Sequence, residues 1–143
     1  MKLIASLCSA LLLLLPAFAE EPATCVELKA PQAIELVAQH AGTAKTGPKK
    51  PALTIIDVRT PEEYSKGCLA NSVNIDFRGK DFKEALAKLD KSTPCLVHCA
   101  VGGRSAKTRD LMKSLGFKTI YHLEGGIKAW EKAGGPLTAP AKP

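Results

Sequence analysis

The chain of 143 residues carries 20 Lys and Arg against 14 Asp and Glu, a net charge of +6, and 45% of it is apolar. That content suits one globular domain around one core, and no second domain is expected. The basic residues are spread without long same-sign blocks, and the aromatics lie scattered among them, so the basic, aromatic-interleaved stripe of a nucleic-acid binder is missing. The charge favours small anionic substrates instead.

Met1-Lys2, the largely apolar Leu3 to Leu15, and Pro16-Ala17-Phe18-Ala19 predict a signal peptide over residues 1–19, cleaved after Ala19. The apolar run is shorter than the ~20 residues of a spanning helix, so no stable membrane insertion is expected after cleavage. The destination is the periplasm in a Gram-negative cell and the exterior otherwise. Cys8 precedes the Leu11 to Leu15 run instead of closing it, and leaves with the leader. The expected mature domain is residues 20–143, with short flexible termini; it keeps 19 basic and 14 acidic residues, a net charge of +5.

Cys25 to Leu28 predicts a brief first strand, and Pro31 opens a helix with Ile34, Val37, Ala38 and Ala41 on one face, closed by Gly42. Thr43 to Ala52, with two prolines and three lysines, is an exposed loop. Leu53 to Val58 is a near-continuous β-branched run, the pattern of a strand buried on both faces of a parallel sheet. Thr60-Pro61-Glu62-Glu63 is a capping box that starts a short helix ending at Gly67. Ser72 to Ile75 predicts a strand, Asp81 opens a helix containing Phe82, Ala85, Leu86 and Leu89, and Cys95 to His98 predicts the next strand. A loop from Cys99 to Gly103 leads into a helix over Arg104 to Leu115, followed by a strand over Lys118 to Leu123 and a helix over Gly126 to Lys132. Strands alternating with helices imply an α/β fold of three layers, with a mainly parallel central sheet of about five strands and helices on both faces. The Pro-rich C-terminus is expected to fray.

His98-Cys99-Ala100-Val101-Gly102-Gly103-Arg104-Ser105 puts a cysteine at the carboxyl end of a predicted strand, before a glycine turn that enters a helix. Open α/β sheets bind ligands at such places. The two glycines permit torsions that turn N–H groups inward, and the helix N-terminus adds partial positive charge. With Arg104 nearby, this field is expected to pre-ionise Cys99. His98, next in chain, points to the opposite face of the strand and is not assigned as a general base.

Cys-x-x-Gly-x-Arg-Ser over Cys99 to Ser105 resembles the active-site loop of rhodanese domains. Ile56-Asp57-Val58-Arg59 with Glu63-Tyr64, Gly67 and Asn74-Ile75 resembles the family's first signature. Gly116-Phe117, Leu123-Glu124-Gly125-Gly126 and Ala129-Trp130 resemble its C-terminal one, so the resemblance covers most of Leu28 to Lys132. It implies a rhodanese-like fold and a sulfurtransferase in which Cys99 takes sulfane sulfur from thiosulfate, a polysulfide or a persulfide. The sulfur would pass to cyanide or a thiol, which can be a protein thiol. Amides of Ala100, Val101, Gly102, Gly103, Arg104 and Ser105 would hold the thiolate and the persulfide. The resemblance implies no metal and no cofactor.

Two alternatives stand beside this reading. Phosphatase and arsenate reductase relatives use a loop one residue longer than Cys99 to Arg104, and a non-catalytic binding module often lacks the cysteine. Asp57 and Arg59, at the end of the preceding strand, either brace the active loop or attract an anionic donor. Cys68 departs from the family pattern at a position commonly held by histidine; it is expected to be a half-buried filler, with a second-thiol role as the alternative. Cys95 is assigned to strand core, and Cys25 has no assigned role. No pair of cysteines has Cys-x-x-Cys spacing, and Cys95 and Cys99 stand ~13 Å apart along a strand, beyond disulfide reach. Lys107 and Arg109 are read as a solvated helix face, Leu123 and Trp130 as packing residues, and His40 and His122 as isolated.

Overall fold

Strands and helices alternate along the chain, as their hydrophobic periods dictate: β1 (Thr24–Leu28), α1 (Ala30–Ala41), β2 (Thr54–Asp57), α2 (Pro61–Ser65), β3 (Ser72–Asn74), α3 (Phe82–Ala87), β4 (Cys95–His98), α4 (Gly103–Ser114), β5 (Thr119–Leu123) and α5 (Gly126–Lys132). The structure, a computed structural model, describes residues 22–41 and 53–140. The expected leader over residues 1–19, Gly42 and the loop at 43–52 lie outside the described residues. The strands form one sheet in the order β1-β5-β4-β2-β3, and every pairing is parallel. The expected α/β architecture is what the chain adopts.

β4 is central and buried at all four positions. Its side chains alternate between faces. Cys95 and Val97, with Ile56 of β2 and Ile120 of β5, pack against Leu86 of α3 and Met112 of α4. Leu96, with Ile55 and Leu123, packs on the other face against Ala33 of α1 and against Ile127 and Trp130 of α5. The sheet is thus sandwiched between two helical layers. Burying a large side chain such as Trp130, 1% exposed, contributes roughly 1.5–3 kcal/mol.

Local signals are realised with small shifts. Helix α1 starts at Ala30, so Pro31 falls within the first turn, where its missing N–H has no intrahelical partner to lose. The Thr60 box is formed: the Glu63 amide donates to Thr60 Oγ1 at 3.3 Å, and the Thr60 amide donates to Glu63 Oε2 at 3.1 Å. Asp81 precedes α3, but its side chain makes no capping hydrogen bond. The C-terminal stretch expected to fray is partly pinned. Cys68 and Thr138 exchange backbone hydrogen bonds of 2.9 and 2.8 Å, and Trp130 Nε1 donates to the Pro136 carbonyl at 3.0 Å.

The turn from β5 to α5 brings the start of that helix onto the segment after β4. The Ile127 amide donates to the Cys99 carbonyl at 2.8 Å, and the Lys128 amide to the Ala100 carbonyl at 3.2 Å. This approach requires glycine at 126, where φ is +60° and a Cβ would stand 2.4 Å from the Cys99 carbonyl oxygen. Gly126→Ala is expected to destabilise the fold by more than about 2 kcal/mol, read as a lowered midpoint in denaturant unfolding. An unchanged midpoint would show that the contact is not needed.

Candidate active site

β4 ends at His98, and the chain leaves the sheet through Cys99 before α4 begins at Gly103. Cys99 keeps the strand's alternation and joins Cys95 and Val97 in the core on the α3–α4 face. The residue is only 1% exposed. Gly102, with φ of +101°, turns the chain back, so that its amide donates to Cys99 Sγ at 3.1 Å. Ser105, in the first turn of α4, donates its hydroxyl to the same sulfur at 3.4 Å. Only one of the two adjacent glycines has the left-handed torsion; Gly103 is an ordinary first residue of α4.

Burial pushes the Cys99 thiol up, as it must for a sulfur in an apolar cluster. The Ser105 hydroxyl and the amides of Ser105, Val101 and Gly102 outweigh burial and hold the thiol below its ordinary value. Of the expected cradle from Ala100 to Ser105, the groups that donate to the sulfur are the amides of Val101, Gly102 and Ser105 and the Ser105 hydroxyl. The Arg104 guanidinium makes a two-pronged pair with Glu63, at 2.7 and 2.8 Å, and the Cys99 sulfur is its lesser partner. Hydrogen bonding from Arg104, against a smaller opposing effect of burial, brings the Glu63 carboxyl down to about 2. Glu63 therefore links the α2 cap to α4, a role that its capping-box position concealed.

Asp57 and Arg59 pair with each other out of water and tie β2 to Gly67. Asp57 is fully buried and Arg59 is 6% exposed. The Arg59 side chain donates to both Asp57 oxygens and, at 2.7 Å, to the Gly67 carbonyl. Asn74 closes the arrangement, donating to the carbonyls of Asp57 and Arg59 at 3.0 and 2.8 Å. The Arg59 charge is thus already paired and out of water.

His98 points away from the nucleophile, as alternation requires, and lies fully buried with its Nε2 3.7 Å from Asp57 Oδ2. The four cysteines among the described residues are free. Cys95 is strand core, its thiol pushed up to about 12 by burial and by Asp90. Cys68 is also buried, lying against Thr138.

Two residues read as unremarkable belong to the site's supporting network. His122 is not isolated: its Nε2 lies 2.9 Å from Ser105 Oγ and its Nδ1 lies 2.5 Å from Glu27 Oε2. Arg109 is not a free surface charge, because it pairs with Glu27 and Asp110. The available signal was a polar residue amid apolar neighbours at an inward strand position, where a partner is required.

His98 provides a pH test of this packing. Burial holds its imidazole below the ordinary histidine value of 6.5, against the pull of Asp57. The unfolded chain therefore takes up a proton that the folded protein refuses, so stability is full above pH 6.5 and falls as pH drops below it. Between pH 6.5 and 5, wild-type stability should decline by at most about 1.4 kcal/mol per pH unit from this source, and His98→Asn should flatten the slope. Equal slopes in denaturant unfolding would contradict the assignment.

A family model described as a rhodanese-like domain matches residues 40–133. Over 95 residues the chain is 36% identical to thiosulfate sulfurtransferase 16, chloroplastic, of Arabidopsis thaliana, covering 59% of this chain and 78% of that protein. It is 38% identical over 74 residues to tRNA uridine(34) hydroxylase of Pelagibacter ubique, covering 51% of this chain but only 25% of that longer protein. The crystal structure of a rhodanese-related protein from Thermoplasma volcanium superposes with a TM-score of 0.64 at 30% identity, covering 79% of this chain and 97% of that one. The chain belongs to the rhodanese-like domain family.

Proposed function

We propose that the protein is a sulfurtransferase that carries sulfane sulfur as a persulfide on Cys99. One observation carries the reading: a buried cysteine sulfur, 1% exposed as a residue, receives hydrogen bonds from the Gly102 amide and the Ser105 hydroxyl beside the start of α4. Such a site favours an anion on sulfur and keeps it from bulk water. The thiolate attacks the outer sulfur of thiosulfate, forming the Cys99 S–S bond as the sulfur–sulfur bond of the donor breaks and sulfite leaves. Attack by cyanide or a thiolate on the outer sulfur then restores the Cys99 thiolate and releases thiocyanate or a new persulfide. Protons and charge balance in both steps without a cofactor. The names of relatives such as the Arabidopsis thiosulfate sulfurtransferase support the donor class.

The tight burial of Cys99 also favours a donor that presents a single protruding sulfur over a bulky tetrahedral group. Export, expected from residues 1–19, belongs to the proposal and places the reaction outside the cytoplasm; N-terminal sequencing of the mature protein checks it.

Intact mass of the reduced protein, before and after thiosulfate, is expected to show the gain of one sulfur atom. Cys99→Ser should abolish the gain, and cyanide should discharge it with release of thiocyanate. Absence of an adduct with thiosulfate, polysulfide and organic persulfide donors would exclude transfer and leave the binding-module reading.

A further inference from the structure

On the far side of Ser105 from the loop lies a second cluster of polar side chains. Glu27 of β1 and His122 of β5 are register partners in the parallel sheet. Their side chains meet on the face covered by α4, His122 Nδ1 standing 2.5 Å from Glu27 Oε2. Ser105 and Arg109 lie four residues apart on α4, hence on one side of the helix, and they close both ends of the pair. Arg109 binds Glu27, while Ser105 Oγ stands 2.9 Å from His122 Nε2. Beyond Ser105 is the Cys99 sulfur, at 3.4 Å. His122 is 5% exposed, so water cannot easily replace its contact with Ser105, while the Glu27 end of the pair reaches the surface.

Ser105 has one hydroxyl proton and three neighbours: the Cys99 sulfur, the Gly102 carbonyl at 3.0 Å and His122 Nε2. Nδ1 faces a carboxylate, which Arg109 also holds, so Nδ1 carries a proton. If Nε2 is protonated as well, it donates to Ser105 Oγ, and the hydroxyl proton is free for the Cys99 sulfur. If Nε2 is bare, it accepts that proton, and the sulfur loses a donor. We propose that Glu27 and His122 form a proton relay that orients the Ser105 hydroxyl and so sets how many hydrogen bonds hold the Cys99 thiolate.

His122 is on this account a positioning residue, acting through Ser105. The charged groups bearing on it are Glu27 from β1, Arg109 with its partner Asp110 from α4, and the Cys99 sulfur across Ser105. Asp57 and His98 occupy the opposite face of the sheet. The relay rests on Cys99 as the reactive thiolate, and it adds a switch to that site: protonated His122 favours thiolate and persulfide anion, while neutral His122 loosens the hold on sulfur. Linkage makes the effect reciprocal, so a Cys99 thiolate must favour the charged imidazole.

Two measurements test this without turnover. Alkylation of Cys99 by iodoacetamide across pH, with Cys99→Ser as blank for the other thiols, reports the thiolate. Glu27→Gln is expected to lower the acidity constant of Cys99, read from the pH profile of alkylation, about tenfold, the lower end of what a hydrogen bond to a charged group is worth, and to have no such effect in a Ser105→Ala background. The same tenfold change in the Ser105→Ala background would overturn the relay, since the charge would then act directly. Nitrogen chemical shifts of His122 in the otherwise wild-type chain supply the second arm: Ser105→Ala and Cys99→Ser should each move the Nε2 resonance as its hydrogen-bond partner changes, and a resonance unmoved by both would overturn the proposal even if Glu27→Gln folds poorly. Failure of sulfur loading with these results intact would remove the transfer reading and leave the relay standing.

Discussion

The rest of the structure is arranged around a cysteine sulfur placed where water barely reaches. An unpartnered charge in such a place costs several kcal/mol, whereas a hydrogen bond to a charged group is worth about 1.5–3 kcal/mol. Cys99 resolves the conflict with donors from its own loop, the Gly102 amide and the Ser105 hydroxyl foremost, so the stability of the anion is inseparable from the shape of that loop. The surrounding fold fixes that shape. β4 delivers the cysteine from the centre of the sheet, α4 supplies Ser105, and α5 locks the carbonyls of Cys99 and Ala100 from behind.

The bracing is electrostatic as well as steric. Asp57 and Arg59 neutralise one another beside β2 and tie it to Gly67 and, through Asn74, to β3. Glu63 and Arg104 join α2 to the start of α4, and Glu27, His122 and Arg109 join β1 and β5 to the same helix one turn on. Helix α4 is thus held at Arg104, Ser105 and Arg109 by three separate elements. A loop that must present several donors to one atom needs such over-determination, because small displacements forfeit hydrogen bonds quickly.

Much of this was legible in the chain. The β-branched run before Asp57 announced a strand buried on both faces, Cys95 to His98 announced another strand, and Thr60 to Glu63 announced a helix start, because these signals are local. The cysteine before Gly102 and the following Arg104-Ser105 marked the candidate site for the same reason. What escaped was pairing across distance. Glu27 and His122 stand 95 residues apart and meet only through strand order; Glu63 and Arg104 stand 41 apart. Gly126 was visible only as part of a resemblance, since the need for it arises from the backbone of Cys99 pressing on it. The C-terminal prolines suggested fraying because no local pattern announces the bridge between Thr138 and Cys68.

The central claim is that Cys99 is a buried thiolate made stable by its loop. Its most direct test is a pH titration of thiolate ultraviolet absorbance in the folded protein, with the Cys99→Ser spectrum subtracted to remove Cys25, Cys68 and Cys95. A midpoint below the ordinary thiol range, moved upward by Ser105→Ala, is the expected result. A midpoint at or above that range would mean that burial prevails over the loop's donors, and the account of the site would fail.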